Sequence, residues 1–263
     1  MIPGVTILSF VIAAAFCLIL PVVIIIVLLV KGKASGLPLI LGAGAFFISQ
    51  IVLRIPVLNI LSRYEWYETL TDNFILIVLF LSLSAGLFEE TARLGGALAL
   101  KKKRSYKDII SFGIGHAFCE VILLTGFTHI NNIIYSISVN NDSGVLTALI
   151  PEQTLETISA QLIAVNPLHV YLGVVERFSA VLFHIFAAML IFKCVKLKKR
   201  HYYFLAVGAH TVFNITGAVL VKYSGVIITE AALLIMALAA GWYVIKQRDK
   251  EGAVSPNAEP AIQ

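Results

Sequence analysis

A chain of 263 residues that is 59% hydrophobic and only 13% charged is no ordinary water-soluble domain, since such a domain carries about 25% charged residues. Its formal charge of +5 does not mark a nucleic-acid binder, because the basic residues fall in short connections between apolar runs, where they report membrane topology. Cys17, Cys119 and Cys194 sit within or at the ends of those runs without CxxC spacing, and they read as small hydrophobes packed among helices.

A spanning helix needs about 20 apolar residues, and seven candidates run over 5–30, 37–61, 73–100, 108–130, 169–194, 202–221 and 226–245. The first is too long for a secretory signal and lacks a basic leader, so it reads as a span. Lys31 and Lys33 follow it. Arg63 follows the second among Glu65, Glu68 and Asp72, and Arg54 near the outer end of that span is expected to snorkel outward. Lys101 to Arg104 and Lys107 follow the third, whereas the connection 131–168 has no Lys or Arg. Lys196, Lys198, Lys199 and Arg200 follow the fifth, Lys222 alone the sixth, and Lys246, Arg248 and Lys250 the seventh. Basic and non-basic connections alternate, which predicts an N-terminus outside and a cytoplasmic C-terminus. Tyr64, Trp66 and Tyr67 then fall at the outer interface, and Tyr202, Tyr203, Trp242 and Tyr243 at the inner one.

Within 131–168, the stretch 152–165 repeats apolar residues at helical spacing, which predicts a short surface helix capping the bundle. The tripeptide Asn141-Asp142-Ser143 matches a glycosylation sequon, a pattern too short to carry weight. Residues 249–263 form a polar tail with two prolines, expected to be disordered. The prediction is an all-α polytopic membrane protein, with one transmembrane domain over 1–248 and the lipid bilayer as its first partner.

Charge inside the spans requires explanation. A charged side chain at the bilayer centre costs about 2.5–3.5 kcal/mol by insertion scales, yet Glu89, Glu90 and Arg93 lie in the middle of the third span. Counted inward from the nearest basic anchor, Glu89 lies about 18 Å deep, His116 and His184 about 13–14 Å, and His210 about 15 Å. A hydrocarbon core about 30 Å thick places all four near its middle. Glu89/Arg93, His116/Glu120 and His210/Asn214 are spaced i, i+4, so each pair shares a helix face. Arg177 and Glu120 lie at similar depth and are expected to pair across helices. Plainer roles exist too: Arg93 as the counter-charge of Glu89 or Glu90, Glu176–Arg177 as a folding salt bridge, and His184 bonded to a carbonyl.

Several chemistries are excluded. No HExxH helix occurs, no aspartate lies mid-membrane, and Ser84 is not in a nucleophile elbow. A carboxylate, histidines and an amide remain. Glu89, with Glu90 beside it, can take a proton from water, and His116 can hold that water and protonate the leaving amine. His210 and Asn214 can donate to the oxyanion. Alternatively His116, His210 and Glu89 or Glu120 can bind Zn²⁺, so a zinc cofactor or none stays open. Glu89 and Glu90 are about 100° apart around the helix, so only one can point at His116.

The patterns Glu89-Glu90-x-x-Arg93, Phe112-x-x-x-His116 and His210-x-x-x-Asn214, in this order on separate helices, resemble the CAAX-protease and bacteriocin-processing superfamily. The chain is more similar to the YhfC-like branch, bacterial membrane proteins described as intramembrane metallo- or glutamic-type proteases. That likeness covers nearly the whole chain, including Gly113-Ile114-Gly115-His116 and Glu176-Arg177. One departure is the spacing from Glu90 to Arg93, two residues where the superfamily has three. The resemblance implies Glu89 as catalytic glutamate, His116 as its partner, and His210 with Asn214 on the oxyanion side. Glu120 and His184 rest on depth alone. The expectation is an intramembrane endopeptidase of a bacterial plasma membrane, acting on a membrane-associated peptide or membrane protein. Its rivals are a scaffold or immunity-type protein, a role also found in the superfamily, and a proton-coupled transporter, since intramembrane Glu and His mark ion paths.

Overall fold

The computed structural model describes residues 1–101, 104–141 and 150–252, and every regular element among them is helical. In order these are α1 (Gly4–Val30), α2 (Gly36–Leu61), α3 (Glu65–Asp72), α4 (Phe74–Ala99), α5 (Tyr106–Asn140), α6 (Glu152–Ile163), α7 (Pro167–Leu197), α8 (His201–Tyr223) and α9 (Val226–Gly252). Among the described residues seven helices, all but α3 and α6, are long and apolar enough to cross a bilayer. The chain is a multi-pass membrane protein. In α1 the exposed residues Val5, Ile12, Ile19 and Ile26 recur every two turns and form a lipid-facing stripe.

The ends of the helices follow local chemistry. Asn73 caps α4 by accepting from the Ile75 and Leu76 amides, and Ser105 with Asp108 forms a capping box at the start of α5. Asn166 caps α7 ahead of Pro167 in the first turn. The face carrying Lys31, Lys101, Lys107 and Arg200 is called the basic face below.

Two expectations need correction. The fourth span does not stop near 130. Ile130, Ile133, Ile134 and Ile137 keep helical spacing, and α5 continues to Asn140 through a π-helical stretch, Val121–Gly126. The Asn140 side chain then clamps the chain start, accepting from the Ile2 amide at 2.7 Å and donating to the Ile2 carbonyl at 2.9 Å. Second, residues 249–252 of the expected tail are the last turn of α9; residues 253–263, and Asp142 and Ser143 of the sequon, lie outside the described residues. Tyr203 shares a 2.8 Å hydrogen bond with Thr91, and the Tyr243 hydroxyl accepts from Lys193. Tyr64, Trp66 and Trp242 are exposed.

The surface helix expected over 152–165 is α6. It buries Leu162 against Ile2, Phe10, Ala13 and Val170 at the non-basic end of the bundle. At the other end Ala97, Phe112 and the Ala188–Phe192 segment of α7 form the main core. The central helix is α7, which packs on α1, α4, α5, α8 and α9. Glycines set the closest approach, between α2 and α5. A Cβ on Gly42 would run into the Phe112 carbonyl, and one on Gly115 into the Leu39 backbone. Close approach of this kind brings α2 against the site helices.

Candidate active site

Four spans converge on one buried polar centre. Glu89, Glu90 and Arg93 come from α4, His116 from α5, His184 from α7 and His210 from α8, and all six are buried. The two adjacent glutamates diverge as helical geometry requires. Glu89 Oε2 lies 3.0 Å from His116 Nε2. Glu90 Oε1 accepts from Arg93 Nη1 at 2.6 Å and lies 2.8 Å from His210 Nδ1. So Glu89 is the one that meets His116.

Three histidines present a nitrogen to Glu89. His116 does so through Nε2, His210 through Nε2 at 3.8 Å from Oε1, and His184 through Nδ1 at 4.0 Å from Oε2. Two of them are backed by a carboxylate on their far nitrogen. Glu90 engages His210 Nδ1, and Glu120 Oε2 stands 2.6 Å from His184 Nε2. An ionised carboxylate only accepts and a guanidinium only donates, so Glu90 fixes the His210 proton on Nδ1, and Arg93, 3.0 Å from His184 Nδ1, fixes the His184 proton on Nε2 beside Glu120. The same arrangement orients metal-ligating histidines in other proteins. Aromatic edges hold the rings: Phe46 packs edge-on to His116, and Phe183 to His210.

Arg93 is fully buried and bridges the halves of the centre. Its Nη1 pairs with Glu90, and its Nη2 lies 3.0 Å from His184 Nδ1 and 3.9 Å from Glu89 Oε2. Arg177 pairs with Glu120 at 3.3 Å, as expected, and also with Glu176. Asn214 behaves differently. Among the described residues no hydrogen bond joins it to Glu89, Glu90 or His210. It lines a cavity of about 360 Å³ with Glu176, Thr229 and Glu230.

Gln50 was absent from the expected site. Its Nε2 donates to Glu89 Oε1 at 2.6 Å, and its Oε1 accepts from Arg54 Nη1 at 3.0 Å. Arg54 does not snorkel; its guanidinium turns inward to Gln50, the Ser84 hydroxyl and the Leu81 carbonyl. Both sit in the π-helical stretch Phe47–Arg54, whose wider turn re-aims side chains. Two polar residues four apart in an apolar span, Gln50 and Arg54, were the available signal.

Fold and site together define a polytopic membrane protein with a glutamate–histidine centre buried among its spans. The sequence profile of the family described as YhfC intramembrane metalloprotease matches residues 16–238. The chain belongs to that family. A Bacillus subtilis (strain 168) protein, "Uncharacterized membrane protein YhfC", is 29% identical over 248 residues, covering 90% of this chain and 94% of the relative. No solved structure matches.

The family description implies a metal, and the residues present fit one. Glu89, His116 and His184 each offer a donor atom, all within 4.8 Å of one another, and His210 Nε2 faces the same carboxylate. Histidine and carboxylate donors of this kind are the usual ligands of catalytic zinc. His184, chosen from depth alone, joins the expected Glu89 and His116 in this group, while His210 of the expected ligand set stands outside it. Arg93 competes: its Nη2 occupies the lone pair of His184 Nδ1, so that nitrogen can ligate only once the guanidinium swings aside.

Proposed function

We propose that the protein is an intramembrane endopeptidase that hydrolyses a peptide bond of a membrane-associated peptide or membrane protein. The observation that carries the reading is the convergence of three imidazole nitrogens on Glu89, in a buried layer at mid-span. Glu89 acts as general base toward water. Its Oε1 is anchored by Gln50, and Oε2 hands the proton to His116, which delivers it to the leaving amine. His210, held by Glu90, carries Nε2–H toward the same space when protonated and donates to the oxyanion. Glu120 and Arg177 keep His184 in place, and Arg93 keeps Glu90 and Glu89 from repelling one another. Asn214, on the His210 face, would reach the oxyanion only by leaving its cavity. A bound zinc, held by His116, His184, His210 or Glu89, would lower the pKa of a water and polarise the carbonyl.

The distribution of basic residues supports an N-terminus outside and a cytoplasmic C-terminus in a bacterial plasma membrane. The test compares new protein N-termini in membranes carrying wild type or Glu89→Gln at equal expression, with a chelator-treated wild-type sample alongside. N-termini present only with untreated wild type are the expected result. If none depends on Glu89, the protease reading fails and partner capture or pH-driven flux becomes the next measurement. If they persist in chelator, a metal-free glutamate mechanism replaces the zinc one.

A further inference from the structure

Hydrolysis needs water, and the centre is sealed: Glu90, Arg93 and His116 have no exposed surface, and Glu89 has 5%. Two polar lines lead out of it. One runs from Glu89 through Gln50 to Arg54 and ends on Ser84 and the Leu81 carbonyl. The other runs from Glu89 through His184, Glu120 and Arg177 to Glu176. The second reaches a cavity of about 360 Å³ between α7, α8 and α9, which Glu176 lines together with Asn214, Thr229 and Glu230.

Position and lining set this cavity apart. Glu230 is four residues from the start of α9, about 6 Å below the non-basic face, while Glu176 is nine residues from the start of α7 and Asn214 nine from the end of α8, each about 13–14 Å below it. His210 and His184 lie deeper still, about 20–25 Å from that face. The cavity therefore covers the upper half of the path. The groove beside it, between the same three helices but lined by Phe204, Gly208, Ala239 and Ala240, offers lipid an almost wholly apolar wall. Three buried atoms along the line, Glu120 Oε2, Arg177 Nε and Glu230 Oε2, form no hydrogen bond among the described residues. Buried polar atoms of this kind are satisfied by ordered water, and ionisable groups inside membranes face the bundle interior or a water-filled cavity.

We propose that this cavity is a hydrated vestibule that brings water from the non-basic face to Glu89, along Glu176, Arg177, Glu120 and His184. Its role as a supply route rests on the hydrolytic reading; its hydration does not.

Cysteine accessibility tests it. Cys17, Cys119 and Cys194 are replaced by alanine in the full chain, and single cysteines are placed at Asn214, Gly217, Glu230 and Ala239. The Gly217 site makes only an ordinary contact, 3.6 Å from Leu233 Cδ1, so it serves if the polar sites fail to fold. Proteoliposomes opened to reagent on both faces receive the impermeant cation 2-(trimethylammonium)ethyl methanethiosulfonate. Modification at the three cavity positions is expected on the order of tenfold faster than at Ala239, because the hydrated thiolate is the nucleophile that attacks the reagent's sulfur and expels sulfinate. Equal rates overturn the vestibule. Modified Gly217→Cys is also expected to lose most Glu89-dependent cleavage that the unmodified variant shows; undiminished cleavage overturns the supply route. Fast modification in a protein whose wild type cleaves nothing leaves the vestibule standing and removes the protease reading instead.

Discussion

His116/Glu120 and His210/Asn214 have the same spacing and lie at similar depth, yet they end in different surroundings. In α5 both members join the centre. His116 meets Glu89, and Glu120 finds His184 and Arg177 on α7. In α8 only the first member does: His210 meets Glu90, while Asn214 opens onto the cavity beside Glu176 and Glu230. The difference lies in the neighbours. Along Glu120 the helices α5 and α7 pack together and α7 supplies two charged partners, whereas α7, α8 and α9 part around Asn214 and leave a cavity. Spacing decides which face a residue shares; packing of the next helix decides whether that face is filled.

The pair Glu89/Arg93 extends the comparison to full burial. Arg93→Met would leave Glu90 with His210 as its one remaining partner and remove the cation between the glutamates. Breaking a buried pair from one side costs about 3–5 kcal/mol, to be read from denaturant unfolding in detergent micelles. Arg93→Lys is not expected to restore it, since one ammonium cannot reproduce the Nη1 contact to Glu90 and the Nη2 contact to His184 together. A variant as stable as wild type would mean that a protonated histidine already neutralises the pair.

Glu120→Ala is the next largest. It removes the carboxylate beside His184 Nε2 but leaves Arg177 paired with Glu176, so the loss is that of one unsatisfied buried group, about 1–3 kcal/mol. A cost matching that of Arg93→Met would show that Glu120 alone, and not Glu176, holds Arg177.

Seven spans and the polar layer were legible because both depend on local composition and on a period of about 3.6 residues. Glu89, Glu90, Arg93, His116, His184 and His210 follow from charge at depth. The extension of α5 to Asn140 was hidden by Asn131 and Asn132, which read as the end of an apolar run. Gln50 was hidden because its one polar neighbour on that face, Arg54, read as a snorkelling residue near the end of the span. It also lacked a charge to single it out. Gln50→Leu keeps the volume and removes the donation to Glu89, for an expected loss of about 1 kcal/mol. Its larger consequence falls on Glu89, whose Oε1 loses its anchor: Glu89-dependent cleavage is expected to drop about 10–100-fold, the usual cost of removing a supporting hydrogen bond. Cleavage at the wild-type rate would place Gln50 among the packing residues only.

Asn214→Ala is the smallest effect and separates the two members of its pair most sharply. Its side chain forms no hydrogen bond to the centre and faces a cavity, so its loss leaves no buried partner unsatisfied. Stability should stay within about 0.5 kcal/mol of wild type, against the much larger cost of Glu120→Ala at the equivalent position on α5. The resemblance nevertheless assigns Asn214 to the oxyanion side, which gives a second readout. If cleavage also stays near wild type, the amide serves the cavity and the oxyanion rests on His210. If cleavage collapses while stability holds, Asn214 must swing from the cavity to the centre when substrate binds, and the gap around it is the space that movement requires.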